Sequence, residues 1–432
     1  MTIKRFQAFS QELLDFVQSN YDDMKLYEQQ VAVIAEQVRS QGNQALFDLT
    51  NRYDGASITA ENFLVTDEEI EEAFELVDID YIFALRQAID NIALFHERQM
   101  RTSWMETDEY GNVTGQMFRP LQRAGIYVPG GTAAYPSSVL MNAIPAQVAG
   151  VEEIAMVSPP GKDGKMNPYT LVAAAELGIE EIYKVGGAQA VFALAWGTET
   201  IKPVDLISGP GNIYVTLAKK MVYGDVNIDM LAGPSEILIV ADRNADPVFV
   251  AADMMSQAEH DVLARSILVT DDVRLIDKVE KELERQMQQL ERRDIIEKSL
   301  NTYGAFVIAE DMEEACRVAN LIAPEHLELI VDNPFEWLSR IHNAGAIFMG
   351  SYTPEPVGDY YAGPNHILPT GGTARFYSPV TVDTFRKSSS IIYYSREGID
   401  ESADDIIKLA TVEGLTAHAN SVKVRKEKIN AR

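Results

Sequence analysis

Short apolar segments of strand character alternate with longer segments of helical periodicity over two long parts of the chain, Gly125 to Met221 and Glu236 to Phe348. Repeated strand–helix alternation is typical of a parallel sheet covered by helices. The 432 residues are enough for two or more domains. We therefore expect an α/β protein with two related open, mostly parallel, incomplete Rossmann-like domains and helical extensions at both termini.

Changes of pattern predict where the domains begin and end. Apolar residues with helical spacing precede a polar break at 19–23, and Tyr110-Gly111-Asn112 is a turn signal for a hairpin. The boundaries that these changes predict are 1–25 for an N-terminal helical arm, 26–120 for a helical part plus hairpin that packs with 236–380 as the larger α/β domain, 121–235 for the second α/β domain, and 381–432 for a C-terminal helical tail.

The chain is strongly acidic, with 65 aspartates and glutamates against 37 lysines and arginines and a net charge of −28. A field of this sign repels phosphate backbones, so we expect no nucleic acid as a partner. It would attract a small cationic substrate, although an acidic surface also serves solubility alone.

A single cysteine, Cys316, excludes an internal disulfide and indicates a reducing compartment. It shares a helical face with Met312, Ala319 and Ile322, so we expect it to pack in the core rather than to act as a nucleophile. No run of about 18 apolar residues occurs, and no membrane span is expected. The acidic N-terminal residues lack the pattern of a signal or transit peptide, which favours a cytoplasmic protein.

Gln257 and His260 lie three residues apart in a segment, 244–261, that is predicted to be helical, so their side chains would project from one face. An amide oxygen and an imidazole nitrogen side by side form half of a metal site, and at least two more ligands must come from elsewhere. Taken alone, the pair is better explained by a histidine that hydrogen-bonds near a helix end.

Three further stretches carry groups suited to chemistry or binding. Gly233-Pro234-Ser235 is a turn that would set Ser235 at a domain junction, where ligands tend to bind. Glu325 and His326 join a helix to a strand, so we expect them on a turn, exposed at a sheet edge, as two proton-transfer groups of different pKa. The tail helix ends with Glu413 and His418.

The stretch 350–379 breaks all periodicity and is rich in Pro, Gly and Tyr. A loop of this length in a compact protein is usually functional or disordered, and its aromatic content argues against disorder. It contains Asp359 and His366, either of which could instead only cap a turn.

These stretches resemble the histidinol dehydrogenase family, and the resemblance extends over essentially the whole chain. The segments that carry it are 125–131 (GIYVPGG), 229–236 (DMLAGPSE), 256–260 (SQAEH), 323–327 (APEHL), and Gly358-Asp359 with 364–366 (PNH). The resemblance implies a bifunctional, zinc-dependent, NAD-linked enzyme of histidine biosynthesis. Such an enzyme oxidises L-histidinol to L-histidinal and then to L-histidine, using two NAD.

The resemblance also implies a role for individual residues. One zinc ion per subunit would be held by Gln257, His260, Asp359 and His418, the last of which comes from the other subunit of a homodimer to which the tail contributes. Glu325 and His326 would be catalytic. The implied substrate contacts are Ser235, Gln257, His260, His326, Asp359, His366, Glu413 and His418. The implied NAD contacts are Tyr127, Gln189 and Asn212.

The residue types suit these roles. Amide, carboxylate and imidazole groups are acceptable to zinc, and a neutral His326 suits removal of the hydroxyl proton as hydride leaves. Glu325 would activate the water that hydrates the aldehyde. The NAD assignment rests on resemblance, because Gly209-Pro210-Gly211 lacks the third glycine of a dinucleotide fingerprint.

Two other readings of the same residues stay open. One is a zinc-dependent hydrolase of a small cationic substrate, with Glu325 as base and no NAD. The other is a non-enzymatic binding protein for cationic metabolites, suggested by the net charge of −28.

Overall fold

The computed structural model describes residues 3–18, 24–130 and 135–431. Part of the expected N-terminal arm, the polar break at 19–23 and the last glycine of the 125–131 motif lie outside the described residues. The chain forms two compact units. The first consists of Met1–Gln99 with Leu121–Phe385, and the second of Met100–Pro120 with Arg386–Arg432.

The strands and helices are numbered in chain order. The strands are β1 Lys4–Gln7, β2 Trp104–Thr107, β3 Val113–Pro120, β4 Arg123–Tyr127, β5 Glu153–Ser158, β6 Glu181–Lys184, β7 Leu206–Ser208, β8 Asn227–Ile228, β9 Glu236–Ala241, β10 Arg265–Thr270, β11 Ala305–Ile308, β12 His326–Ile330, β13 Ala346–Met349 and β14 Arg386–Tyr393. The helices are α1 Gln11–Gln18, α2 Met24–Gln41, α3 Asn43–Tyr53, α4 Asp67–Leu76, α5 Ile79–Glu97, α6 Pro136–Ala149, α7 Pro168–Glu176, α8 Gly187–Trp196, α9 Ile213–Val222, α10 Pro247–Ala258, α11 Val273–Met287, α12 Arg293–Tyr303, α13 Met312–Ile322, α14 Pro334–Trp337, α15 Glu355–Tyr360, α16 Arg396–Val412 and α17 Thr416–Asn430.

The first unit contains two parallel sheets with the same strand order. The five-stranded sheet runs β6-β5-β4-β7-β8, and the six-stranded sheet runs β1-β11-β10-β9-β12-β13. In the five-stranded sheet, the first strand along the chain, β4, lies between the second, β5, and the fourth, β7. In the six-stranded sheet, β9 lies in the same way between β10 and β12. This shared order confirms the prediction of two related open α/β sheets. Such an order creates a switch point at the carboxyl ends of β4 and β7, a position where ligands bind in folds of this kind.

The central strands are apolar because helices cover both of their faces. Every residue of β9 is buried, and its side chains alternate between two apolar clusters on opposite faces of the sheet. One cluster includes Val250, Met254 and Leu275 from α10 and α11, and the other includes Val318 from α13. A strand covered on both faces is expected to be a nearly continuous apolar run, as β9 is.

The helices between residues 24 and 97 pack on the five-stranded sheet, although the sequence placed them with the larger domain. Val31, Ile34 and Val38 of α2 belong to the same apolar cluster as Val191 of α8. Helices α4 and α5 pack against α7 and α6. The assignment to the larger domain was wrong because an apolar stripe shows that one face of a helix is buried but not which sheet it packs against.

The N-terminal residues join the six-stranded sheet, so they do not form a purely helical arm. Strand β1 pairs in parallel with β11 at the edge of the sheet. Leu13 and Phe16 of the following α1 are buried against the same sheet. The sequence predicts helix for this segment because the four residues of β1 are too few for alternation to distinguish strand from helix.

The second unit combines the expected hairpin with the chain terminus. Strands β2 and β3 form the hairpin, and β14 adds to it in the antiparallel order β14-β3-β2. Helices α16 and α17 pack against each other. The tail was predicted to be helical, and β14 was missed because most of its side chains are exposed and leave no apolar alternation. Among the described residues, no helix is both long and apolar enough to cross a membrane.

Candidate active site

Glu325 precedes β12 and His326 begins it, beside the first residues of β9. The Oε2 atom of Glu325 accepts a hydrogen bond from the Glu236 amide at 2.9 Å. The Nδ1 atom of His326 lies 3.1 Å from the Glu236 carbonyl oxygen, and donation to this carbonyl would leave Nε2 as the acceptor. The backbone of one β9 residue thus orients both candidate catalytic side chains.

Both residues are buried, with 7% and 3% of their surface exposed, although the sequence predicted an exposed turn. The prediction was wrong because segments distant in sequence cover this edge of the sheet. The amide of Ala346 in β13 donates to the Glu325 carbonyl oxygen, and the amide of Gly371 donates to Glu236 Oε1. The site therefore excludes most water, which strengthens electrostatic interactions inside it.

Asp359 lies on α15, a short helix within the stretch that showed no periodicity. Its Oδ1 atom is 3.7 Å from Nε2 of His326. Its carbonyl oxygen lies 3.1 Å from Nδ1 of His366, so the loop after α15 turns back onto the same place. The structure thereby brings together His326, Asp359 and His366.

Glu355 is a member of this cluster that the sequence did not reveal. It lies one helical turn before Asp359, and ligand atoms of His326, Glu355 and Asp359 all lie within 4.8 Å of one another. Ser256, the neighbour of Gln257, donates its hydroxyl to Glu355 Oε2 at 3.3 Å. The spacing of four residues would have indicated a shared face only if α15 had been recognised as a helix.

Gln257 is completely buried near the end of α10, and neither its Oε1 nor its Nε2 has a hydrogen-bond partner among the described residues. An unpaired buried amide is costly, so its presence indicates a missing partner. The helix ends at Ala258, and His260 follows it in a turn whose amide donates to the Gln257 carbonyl oxygen. Burial lowers the pKa of His260, while the nearby charge of Asp359 opposes this effect.

The charges of the cluster shift one another's pKa values strongly. Burial raises the pKa of Glu325 to about 8. Burial alone would lower the pKa of His326, but the carboxylates around it, Glu325 first and then Asp359, outweigh burial and raise that pKa to about 10. Burial likewise favours the neutral form of Asp359, yet contact with His326 and the charge of His366 hold its pKa well below the usual range. The charged forms of His326 and Asp359 therefore stabilise each other.

The three residues implied in NAD binding follow the carboxyl ends of strands in the five-stranded sheet. Tyr127 ends β4, is buried, and accepts a hydrogen bond at its hydroxyl from the Gly187 amide at 2.9 Å. Gln189 is buried in the first turn of α8. Asn212 is exposed and caps the N-terminus of α9. All three lie at the edge of the sheet that contains the switch point between β4 and β7.

The remaining predicted residues are described by their local surroundings. Ser235 is half-buried directly before β9, and its carbonyl oxygen accepts from the Arg265 amide. Glu413 and His418 belong to the second unit, at the end of α16 and on α17, and are exposed there. Cys316 is buried in the core as predicted, and burial raises the pKa of its thiol to about 11.

The family model described as histidinol dehydrogenase matches residues 17–426. Histidinol dehydrogenase from Heliobacterium mobile is 58% identical over 92% of this chain and 93% of its own length, and that from Bacillus subtilis (strain 168) is 54% identical over 93% of each. The crystal structure of histidinol dehydrogenase from Elizabethkingia anophelis has a TM-score of 0.93 and 37% identity over 99% of both chains.

Proposed function

The chain belongs to the histidinol dehydrogenase family, and from this premise we propose that it catalyses the NAD-dependent, four-electron oxidation of L-histidinol to L-histidine through L-histidinal. The reaction would take place in the cytoplasm as the last steps of histidine biosynthesis. The observation that carries the proposal is the buried contact of His326 with Asp359, beside Glu325, in the segments that resemble the family.

We propose that Gln257, His260 and Asp359 hold one zinc ion, with His418 from a second copy of the chain as the fourth ligand. The unpaired, buried amide of Gln257 fits this role, because a metal ion would satisfy its oxygen. When bound, the ion would anchor the amine and imidazole of the substrate and neutralise Asp359, so that the pKa of His326 falls towards the range of a base.

His326 is the proposed general base. Its Nε2 atom has no hydrogen-bond partner among the residues described, and its Nδ1 atom faces the Glu236 carbonyl oxygen. A neutral imidazole held in this way would accept the hydroxyl proton of histidinol at Nε2 while hydride leaves the same carbon. NAD, when bound, would supply the hydride acceptor.

Glu325 is the proposed base for the second oxidation. The aldehyde must first add water, because hydride can leave only from the hydrated carbon. A pKa of about 8 places Glu325 close to the working pH, where a carboxylate can both take and return a proton efficiently. Its fixed contact with the Glu236 amide would hold the accepting oxygens in place.

The other residues would bind and orient. Ser235, His366 and Glu413 are proposed to contact the substrate together with the metal ligands. Glu413, like His418, would reach the site of the neighbouring subunit in a homodimer. Tyr127, Gln189 and Asn212 are proposed to contact NAD at the switch point of the five-stranded sheet.

The direct test is the amount of NADH formed per histidinol consumed by the zinc-loaded protein. Two NADH per histidinol, with histidine as product, is the expected result. One NADH, with histidinal released, would remove the role given to Glu325. No NADH at all would refute the dehydrogenase and favour a zinc hydrolase or a binding protein.

A further inference from the structure

Asp229 begins the 229–236 motif and has no role in the proposed site. Its side chain is fully buried after β8 and forms an ion pair with Lys219 of α9, whose side chain is also buried. Replacing a buried ion pair with apolar residues is often neutral or stabilising, so stability alone is a weak reason for one to be present.

The two side chains hold the peptide groups of Gly209 from both sides. The Gly209 amide donates to Asp229 Oδ2 at 2.8 Å, and the Gly209 carbonyl oxygen accepts from Lys219 Nζ at 3.0 Å. The second carboxylate oxygen, Oδ1, accepts from the Met230 amide at 2.6 Å. The ion pair therefore fixes the position of Gly209, the first residue after β7.

Gly209 lies where the ends of β7 and β4 meet. Its φ is +128°, and a Cβ atom there would lie 2.1 Å from the Tyr127 carbonyl oxygen, so only glycine fits. Three residues later, Asn212 accepts hydrogen bonds from the amides of Tyr214 and Val215 and caps the N-terminus of α9. The loop 209–212 thus spans the switch point, with one end clamped by the ion pair and the other built into a helix.

A second buried polar chain supports the same loop. Ser208, the last residue of β7, donates its hydroxyl to Asn142 Oδ1 at 2.6 Å. Asn142 in turn donates to the Ser138 carbonyl oxygen within α6. These groups anchor the loop to the helix that follows β4.

We propose that Lys219 and Asp229 are positioning residues for NAD, holding the loop 209–212 in its binding conformation before the dinucleotide arrives. The inference rests on the proposed binding of NAD at this edge of the sheet. A preorganised loop avoids the free energy of ordering during binding. Loosening the clamp should therefore weaken NAD affinity while leaving the metal and histidinol part of the site intact.

The experiment measures the NAD dissociation constant of the zinc-loaded protein directly, by calorimetry, in Lys219→Met, Asp229→Asn and the apolar double variant Lys219→Met/Asp229→Leu. The double variant guards against an unpaired buried charge that would prevent folding. We expect NAD to bind at least about tenfold more weakly, with unchanged kcat at saturating NAD and unchanged KM for histidinol. Lys219→Arg keeps the charge and should retain part of the affinity.

Arg123→Met is the matched control. The buried side chain of Arg123 forms ion pairs at the opposite edge of the same sheet, with the partly exposed Glu181 and with the exposed Glu153 at 2.8 Å. Its loss should change stability but not NAD affinity. A double variant that folds and binds NAD as tightly as the unaltered protein would overturn the proposal, as would an equal loss of affinity in Arg123→Met.

Hydrogen exchange of the unaltered protein gives a test without any substitution. The Gly209 amide should be protected before NAD is added, and rapid exchange that NAD abolishes would contradict a preformed loop. Failure of the unaltered protein to bind NAD would refute the cofactor assignment itself. Normal binding by the unaltered protein and by the double variant would refute only the positioning role.

Discussion

The Nε2 atom of His326 lies 3.7 Å from the Oδ1 atom of Asp359, inside a site where both side chains are largely shielded from water. The contact joins the proposed base to a proposed metal ligand. Because Asp359 helps to raise the pKa of His326, whatever neutralises Asp359 also makes His326 a better base near neutral pH. In the proposed mechanism, metal loading and proton transfer would thereby be linked through one carboxylate.

Asp359→Asn should weaken metal binding. The amide keeps the size of the side chain but removes the negative charge that would face the cation, and we expect a loss of metal affinity of about 10- to 100-fold. The measurement is zinc retention during titration with a competing chelator. Asp277→Asn, which changes an exposed carboxylate on α11, is the control and should retain zinc normally. Equal retention in both variants would remove Asp359 from the ligand set.

His326→Gln should abolish most turnover without releasing the metal. Loss of a general base typically costs about 10²- to 10⁴-fold in rate, and we expect the decrease in kcat for histidinol oxidation. Zinc content and NAD affinity should stay unchanged. His342→Gln alters an exposed histidine and is the matched control. A full kcat in His326→Gln would transfer the role of base to another group.

Glu325→Gln should separate the two oxidations. Glutamine can still accept the hydrogen bond from the Glu236 amide but cannot take a proton from water. The first oxidation should continue, the NADH formed per histidinol should fall from two towards one, and histidinal should accumulate. Trapping of the aldehyde with a hydrazine reagent measures this directly. A ratio that stays at two would show that another group hydrates the aldehyde.

The parallel strands could be predicted because burial on both faces leaves an apolar run, as in β9. The chemistry around them was less accessible to sequence reasoning. Spacing paired Gln257 with His260, but Asp359 lies 99 residues after His260 (359 − 260), and only the resemblance connected it to them. Glu355 was missed because Pro354, Pro356 and Gly358 conceal α15.

The burial of Glu325 and His326 also lay beyond local patterns. A turn between a helix and a strand is normally exposed, and here it is covered by β13 and by the segment around Gly371. Strand β14 is exposed rather than buried, and side chains such as Ser388–Ser390 show no apolar alternation that would predict a strand. Its backbone nevertheless pairs with β3 along its whole length. In both cases the decisive contacts are made by distant parts of the chain.

Cys316→Ala should retain both oxidations. Burial raises the pKa of the thiol to about 11, so it carries almost no thiolate near neutral pH and is a poor nucleophile for an aldehyde. We expect unchanged NADH stoichiometry and a loss of stability of about 1 kcal/mol from the small cavity. Selective loss of the second oxidation would instead indicate a covalent thiohemiacetal route through this cysteine.

Glu325 should make the stability of the metal-free protein depend on pH. Burial raises its pKa to about 8 in the folded state, against an ordinary value of 4.5. Between these two pKa values, the folded state therefore holds a proton that the unfolded chain releases. The contribution of Glu325 to the free energy of unfolding is complete below about pH 4.5 and is lost as the pH rises to about 8. The free energy of unfolding should fall over this window by at most about 1.4 kcal/mol per pH unit for this group.

Urea unfolding at several pH values in the presence of a chelator tests the sign. Glu325→Gln has no carboxyl group to titrate, so its stability should fall less steeply between about pH 5 and pH 8. The slope should not vanish, because burial also raises the pKa of Glu355 to about 8. Glu336→Gln, which changes an exposed carboxylate on α14, should keep the full slope. If the free energy of unfolding varies with pH in the same way in Glu325→Gln and in the unaltered protein, Glu325 is already ionised in the folded state. Its pKa would then be too low for the proposed role as a base that titrates near the working pH.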